Sequence, residues 1–315
     1  MTRSIRTIVA AVVTAMVLVV VPEARAAGSE PMAMTIPMPA THDWPATRMK
    51  AEVFRPEGKG PFPVVVYSHG RSGKPAERAA LAHGIPLGHA GYWTSRGFAV
   101  VAPIRPGYGE AGAEDRERSG ARIETDGRCG GTIRMTAASR AAAAAVRATV
   151  DWAQRQKWAE TDRLLLVGTS VGGLATVVAA SGRPPGLVGF VSFSGGAAGF
   201  PKERPGASCG EEELTEVFRR AGRGVLVPSL WLYAENDTYW GAKAPRAWHE
   251  AFADGGSDTR LVVTKPVPNV DGHFLMLRGG RLWSEHVDPF VTGLGFPARV
   301  AKKPVSSPAP ASPGR

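Results

Sequence analysis

A serine bracketed by glycines constrains the fold of this chain more than any other feature of its sequence. The apolar run 164–167 leads into Gly168-Thr169-Ser170-Val171-Gly172, and small residues typical of a helix follow. A buried strand, an abrupt reversal and a helix form the context in which Gly-x-Ser-x-Gly exposes a nucleophile. The pattern predicts Ser170 as that nucleophile and the Val171 amide as one oxyanion donor. A flexible glycine loop is the alternative interpretation.

Apolar runs typical of strands alternate with helical segments along most of the 315 residues. The strand-like runs are 49–54, 62–68, 97–103, 163–168, 187–194, 227–234 and 259–264. Helices are predicted over 76–96 (with a break near 84–86), 136–158, 171–180, 212–221, 244–252 and 281–292. This alternation predicts an α/β protein with a doubly wound, mostly parallel sheet flanked by helices in a single domain.

The two ends of the sequence differ in composition from the part between them. Residues 1–26 combine Arg3 and Arg6 with an apolar stretch and the site Ala24-Arg25-Ala26, which predicts a signal peptide. The apolar stretch is short for a membrane span, so a retained anchor is the weaker alternative. We expect a secreted or periplasmic catalytic domain over 27–296, with no integral membrane segment after processing. The Pro-, Ser-, Ala- and Lys-rich tail 297–315 is expected to be disordered.

The formal net charge of +10 lies mostly in these two ends, which leaves +4 for residues 27–296. Acidic and basic residues are interspersed there, as in Glu114-Asp115-Arg116-Glu117-Arg118, and no basic stripe carries interleaved aromatic residues. A nucleic-acid partner is therefore not expected.

Two segments supply the groups that a serine nucleophile needs. Asp237 follows the run 227–234, and His273 follows the run 259–264. A histidine takes the serine proton during attack, and a carboxylate fixes the tautomer of that histidine and stabilises its charged form. Ser170, Asp237 and His273 are therefore the predicted catalytic residues.

Two neighbouring carboxylates, Glu235 and Asp271, are alternative acids. Asp271 is too close along the chain to His273 to orient its ring easily, and Glu235 lies nearer the body of the strand. Asp237 is therefore favoured over both.

The loop after the run 62–68 reads His69-Gly70-Arg71-Ser72-Gly73. In hydrolases with this kind of serine turn, the loop at this position lends a backbone N–H to the oxyanion hole. The Arg71 amide is therefore predicted to act with the Val171 amide. His69 is expected to be structural, because the catalytic base normally comes from the far end of the chain.

These motifs together resemble the α/β-hydrolase superfamily, and in particular its dienelactone-hydrolase-like branch, over about 50–296. The residues that carry the resemblance are His69-Gly70-Arg71, Gly168-Thr169-Ser170-Val171-Gly172, Asp237 and Asp271-Gly272-His273. Dienelactone hydrolases use a cysteine nucleophile, whereas this chain has Ser170. The resemblance to secreted serine esterases therefore implies ordinary carboxylic esters as substrates.

The expected function is that of a secreted serine hydrolase which cleaves a small-molecule ester through an acyl-enzyme, without a cofactor. No metal site is expected, because the spacing of His83 and His89 matches no common ligand pattern on a helix. A prolyl-oligopeptidase-like peptidase or amidase is an alternative, and so is a binding protein that keeps the fold without turnover.

Two loops are expected beside the site, because both follow the carboxyl ends of strands. The loop that ends near Gly131 carries Cys129, and the loop 195–210 carries Cys209. Export would favour a disulfide between them, and two free thiols are the alternative. The candidate substrate contacts are Arg105, which could hold a carboxylate, and the aromatic residues Tyr108, Tyr239 and Trp240.

Overall fold

The computed structural model describes residues 30–110 and 113–296. Eight strands form one sheet at the centre of this part of the chain. They are β1 (Met32–Met38), β2 (Thr47–Phe54), β3 (Phe62–Ser68), β4 (Ala99–Pro103), β5 (Ala159–Thr169), β6 (Leu187–Phe193), β7 (Ser229–Ala234) and β8 (Thr259–Thr264). Their order across the sheet is β1-β2-β4-β3-β5-β6-β7-β8.

Strands β4, β3, β5, β6, β7 and β8 run parallel to one another, whereas β2 runs antiparallel to β4 and to β1. The central strands are apolar because both of their faces are covered. Val64, Val65 and Val66 of β3, for example, are completely buried. The predicted doubly wound, mostly parallel sheet is confirmed.

Strand β1 was not predicted from the sequence. It is an antiparallel edge strand, paired with β2 from Met32 opposite Val53 to Met38 opposite Thr47. Only Ile36 and Met38 of β1 are buried, and Pro37 lies between them. An edge strand with so few buried residues, and with a proline, gives a weak apolar pattern.

Helices cover the two faces of the sheet, and each face has its own apolar core. On one face lie α3 (Met135–Ala153), α4 (Val171–Ala180), α5 (Glu211–Gly222) and α6 (Ala244–Ala253). On the other lie α2 (Leu87–Thr94), α7 (Leu275–Arg278) and α8 (Gly280–Gly293). Helix α1 (Pro75–Ala79) precedes α2 in the chain, and a 3₁₀ turn, Gly272–Phe274, precedes α7.

Cys129 and Cys209 form a disulfide, with their Cα atoms 5.4 Å apart. The bond joins two loops that leave the carboxyl ends of β4 and β6, as expected from the sequence. The ends of the chain assigned as a signal peptide, 1–26, and as a disordered tail, 297–315, lie outside the described residues. Among the helices of the described ranges, none has the length and apolar character needed to cross a bilayer.

His89 of α2 is buried in the core and faces α8, whereas His83 is exposed and binds the Glu52 carboxylate. Five aromatic rings have their centres within 6.1 Å of the His89 ring: those of Tyr67, Tyr92, Trp93, Phe193 and Trp283. The Trp93 indole N–H donates to His89 Nε2 at 3.1 Å. Burial lowers the pKa of His89 to about 3, so the native state holds it neutral.

We expect His89 to make the fold sensitive to acid. Below pH about 6.5 the unfolded chain binds a proton at this histidine and the native chain does not, so unfolding becomes more favourable as the pH falls. Between pH 7.5 and 5.0 this histidine alone should lower the free energy of unfolding by about 2 kcal/mol. Urea denaturation at the two pH values measures the change.

The matched variant is His89→Gln, whose amide oxygen can still accept from the Trp93 indole. It should be less stable than the wild type at pH 7.5 but should lose about 2 kcal/mol less on acidification. An identical acid-induced loss in wild type and variant would contradict a neutral His89 in the native state.

Candidate active site

Ser170 lies on the sharp turn between β5 and α4, with a φ of 55° and a ψ of −125°. A non-glycine residue in this region of backbone space is strained, and such strain persists only where the surrounding structure enforces it. Its amide donates to the Phe193 carbonyl of β6, and its carbonyl accepts from Gly196 and Leu174. The backbone of the turn is therefore held on both sides.

Gly168 and Gly172 are needed because the turn is packed against other backbone. A Cβ at Gly172 would collide with the carbonyl oxygens of Ser68 and His69, at the end of β3. A Cβ at Gly168 would collide with the Gly172 carbonyl. These contacts place the beginning of α4 directly against the loop that follows β3.

His273 and Asp237 are brought to Ser170 by the loops after β8 and β7. His273 Nε2 lies 3.1 Å from Ser170 Oγ, and His273 Nδ1 lies 3.2 Å from Asp237 Oδ2. The carboxylate accepts a hydrogen bond from Nδ1–H, which leaves Nε2 free to accept one from the serine hydroxyl. The hydroxyl, imidazole and carboxylate form one continuous hydrogen-bonded chain.

Asp237 is buried, with 2% of its surface exposed, and its second oxygen is also bound. Oδ1 accepts from the backbone N–H groups of Tyr239 and Trp240, at 2.8 and 3.2 Å. These two amide donors fix the orientation of the carboxylate. Glu235, by contrast, is exposed at the end of β7.

Asp271 does not contact the imidazole but joins the acid loop to the histidine loop. Its carboxylate accepts from the backbone N–H groups of His273 and Thr238, at 2.9 and 3.1 Å, and from the Thr238 hydroxyl. The Asn236 side-chain amide donates to the Val267 and Val270 carbonyls and accepts from the Val267 N–H. The distance between Asp237 and His273 is therefore set by a network of loop contacts.

The predicted oxyanion donors lie on either side of the serine. A Cβ built on Gly70 would be 3.5 Å from Ser170 Cβ, so the Gly70–Arg71 peptide is adjacent to Ser170. Val171 is the first residue of α4, where the backbone N–H groups lack a partner within the helix. Within the described ranges, neither the Arg71 nor the Val171 amide has a hydrogen-bond acceptor in the protein.

Three of the four candidate substrate contacts are buried and bind protein groups instead. The expectation that Arg105 holds a substrate carboxylate is wrong, because its side chain is 0% exposed and pairs with Glu117. The Tyr108 hydroxyl also donates to Glu117, and the Trp240 indole N–H donates to the Ser194 carbonyl. These three side chains therefore pack and form hydrogen bonds inside the protein.

Tyr239 is the candidate contact that remains at the site. Its half-buried ring stacks on the His273 imidazole with the centres 3.9 Å apart and the planes inclined by 20°. Burial, together with the nearby carboxylates of Asp271 and Asp237, raises the pKa of the Tyr239 hydroxyl. The phenol is therefore neutral, and it covers one face of the His273 imidazole.

His69 is buried beside the site and does not face the serine, in keeping with its predicted structural role. Its Nε2 accepts from the Arg105 amide at 3.1 Å, and its Nδ1 lies 2.7 Å from the Gly70 carbonyl. Burial and the positive charge of Arg105 lower the pKa of His69 well below its usual value. The imidazole is neutral, with its proton on Nδ1.

The fold and the site can be compared with known proteins. No protein-family model and no curated protein matches the sequence. Solved structures do match. An esterase of Pyrococcus furiosus is 13% identical, with a TM-score of 0.56 over 84% of this chain and 91% of that protein. A Klebsiella pneumoniae protein described as a dienelactone hydrolase is 18% identical, with a TM-score of 0.51 over 84% of this chain and 98% of that protein.

The chain has the α/β-hydrolase fold. An acylaminoacyl peptidase of Pyrococcus horikoshii shares it at 14% identity and a TM-score of 0.56, over 87% of this chain but 43% of the peptidase. In this fold the nucleophile, the acid and the histidine follow one another along the chain, each in a loop at the carboxyl edge of the sheet. Ser170, Asp237 and His273 occupy such loops in that order.

We expect Gly172→Ala to be strongly destabilising, because the methyl group would meet the Ser68 and His69 carbonyls, which belong to the sheet and its loop. Overpacking of this kind costs about 3 kcal/mol. The matched control is Gly91→Ala in α2, where a Cβ meets nothing within 4 Å. That change should alter the free energy of unfolding by less than about 1 kcal/mol. Thermal and urea denaturation compare them, and equal stabilities would refute the close packing.

Proposed function

We propose that this protein is a serine hydrolase that cleaves carboxylic esters through an acyl-enzyme on Ser170. The observation that carries the proposal is the chain of contacts from Ser170 Oγ to His273 Nε2, at 3.1 Å, and from His273 Nδ1 to Asp237, at 3.2 Å. A serine hydroxyl is a weak nucleophile until a base removes its proton, and this arrangement supplies the base and its orienting carboxylate.

In the first half of the reaction, Ser170 Oγ attacks the ester carbonyl carbon while its proton passes to His273 Nε2. The imidazolium that forms is stabilised by Asp237. The carbonyl oxygen becomes an oxyanion, and the Arg71 and Val171 amides donate to it. When the tetrahedral intermediate collapses, the alcohol leaves with the proton from His273.

In the second half, a water molecule takes the place of the alcohol. His273 accepts a proton from the water as it attacks the acyl carbonyl, and the same two amides stabilise the second oxyanion. Collapse breaks the bond to Ser170 Oγ, which regains its proton from His273. The products are a carboxylic acid and an alcohol, and the enzyme returns to its starting state.

The preference for esters over amides is supported by the coverage of the structural comparisons. The chain matches 91% of the Pyrococcus furiosus esterase but 43% of the Pyrococcus horikoshii peptidase. An amide leaving group is also the harder one to expel, because it must be protonated as it departs. Amidase activity is the second candidate function, favoured by the likeness to the peptidase.

The surface beside His273 favours a substrate with an apolar part. Phe274 and Leu277 are 42% and 51% exposed, and Tyr239 covers the face of the imidazole. Side chains of this kind gain free energy by covering apolar groups of a ligand. We place the apolar part of the ester against Tyr239 and Phe274.

The protein is proposed to act outside the cytoplasm, as a secreted or periplasmic enzyme. Residues 1–26 have the pattern of a signal peptide, and the Cys129–Cys209 bond fits an oxidising compartment.

Covalent labelling tests the nucleophile. The mature protein should react with a fluorophosphonate at a single site, and Ser170→Ala should abolish the adduct without unfolding the protein. Hydrolysis of p-nitrophenyl esters of increasing chain length then defines the acyl preference, with aminoacyl p-nitroanilides as the amide series. An adduct that persists in Ser170→Ala would overturn the assignment, and faster turnover of the amides would favour the amidase.

The acid of the triad is tested by neutralising the three nearby carboxylates one at a time. Asp237→Asn should lower kcat/KM by about 10³ or more, because an amide cannot enforce the imidazole tautomer. Glu235→Gln, an exposed change on the same loop, should retain wild-type kcat/KM. Asp271→Asn should weaken the loop network and lower kcat/KM less than Asp237→Asn. A larger loss in Asp271→Asn than in Asp237→Asn would move the acid role to Asp271.

A further inference from the structure

A buried ion pair lies directly behind the loop that carries the Arg71 amide. Arg105 donates through Nε and Nη2 to both oxygens of the Glu117 carboxylate. The two side chains are 0% and 2% exposed. The Tyr108 hydroxyl donates to the same carboxylate at 2.6 Å. Because the pair is buried and all three side chains are joined by hydrogen bonds, its geometry is tightly defined.

The remaining donors of Arg105 are directed at the end of β3 and the loop that follows it. Nη1 donates to the Ser68 hydroxyl at 3.0 Å and to the His69 carbonyl at 2.6 Å. Nη2 donates to the Gly70 carbonyl at 3.4 Å, and His69 Nδ1 donates to that same carbonyl at 2.7 Å. The Gly70 carbonyl is therefore held from the side on which Arg105 lies.

The orientation of this carbonyl determines the orientation of the Arg71 amide. A trans peptide is planar, so the carbonyl oxygen of Gly70 and the N–H of Arg71 point in opposite directions. With the oxygen fixed toward Arg105 and His69, the N–H must point away from them. Rotation of this one peptide plane would remove the N–H from the position that an oxyanion donor needs.

From this geometry we infer that Arg105 and Glu117 are positioning residues, which hold the Gly70–Arg71 peptide so that its N–H meets the oxyanion formed at Ser170. Arg105 acts through its bond to the loop carbonyls, and Glu117 acts by fixing the Arg105 guanidinium. The inference rests on the proposed function, because an oxyanion arises only if Ser170 is acylated.

The structure contains an ion pair of similar composition elsewhere, although its carboxylate is 34% exposed. Arg96 donates to both oxygens of Asp288, at 2.8 and 2.9 Å, and the Tyr92 hydroxyl donates to the same carboxylate at 2.6 Å. This group joins α2 to α8 and does not contact the loop after β3. Asp288→Asn and Tyr92→Phe are therefore controls for Glu117→Gln and Tyr108→Phe, since each pair of variants removes the same kind of interaction.

The experiment uses the full mature protein and two substrates, p-nitrophenyl butyrate and its thiono analogue, in which sulfur replaces the carbonyl oxygen. Sulfur is a poor hydrogen-bond acceptor, so turnover of the thiono ester depends less on the oxyanion donors. Glu117→Gln should lower kcat/KM for the oxygen ester by about tenfold to hundredfold and that for the thiono ester by less than about threefold. The milder Tyr108→Phe should change the ratio in the same direction by about twofold to fivefold.

Binding of an aliphatic trifluoromethyl ketone gives a second measurement, because its hemiketal with Ser170 bears a negatively charged oxygen. Its affinity should fall in proportion to kcat/KM for the oxygen ester. In Asp288→Asn and Tyr92→Phe both the ratio and the ketone affinity should equal those of the wild type, whatever the change in melting temperature.

An unchanged ratio and unchanged ketone affinity in Tyr108→Phe and Glu117→Gln would overturn the inference and would leave the proposed function intact. If Glu117→Gln does not fold, Tyr108→Phe decides the outcome. A wild-type protein that neither labels at Ser170 nor hydrolyses esters would refute the proposed function, and this inference with it. The two failures are distinguishable because the second is seen without any variant.

Discussion

The close approach of Gly172 to the backbone at the end of β3 is the contact on which the rest of the site depends. It lets the first turn of α4 lie against the Ser68 and His69 carbonyls. Ser170, the proposed nucleophile, is thereby placed next to Gly70 in the loop that follows β3. The Ser170 N–H donates to the Phe193 carbonyl and the Ser170 carbonyl accepts from the Gly196 N–H, and these bonds hold the strained turn in place.

Two networks of different chemistry complete the arrangement around this contact. On the side of the histidine, Asn236 and Asp271 join two loops through neutral backbone groups and set the distance from Asp237 to His273. On the side of the proposed oxyanion donors, a buried pair of charges, Arg105 and Glu117, holds the loop carbonyls. A buried charge pair of this kind tolerates little displacement, because breaking it leaves an uncompensated charge in the interior.

The fold and the residues of the candidate site differ in how far the sequence could predict them. Ser170, Asp237 and His273 each lie in the segment that follows an apolar run, so their positions at one edge of a parallel sheet could be inferred from local pattern. Glu117 could not, because the charges at 114–118 have the appearance of a solvated face. Arg105 is expected from the sequence to hold a substrate carboxylate, and its pairing with Glu117 is seen only in the structure.

The Cys129–Cys209 bond has a consequence for how substrate preference can change. It ties the loop that carries Glu117 to the loop after β6, so neither can move outward without the other. We therefore expect these two loops to differ little in position from one substrate to another. Tyr239, Phe274 and Leu277, beside His273, have partly exposed side chains, and no disulfide ties them among the described residues. We expect bulkier or longer esters to be accommodated by substitutions on the histidine side, while the oxyanion side stays as it is.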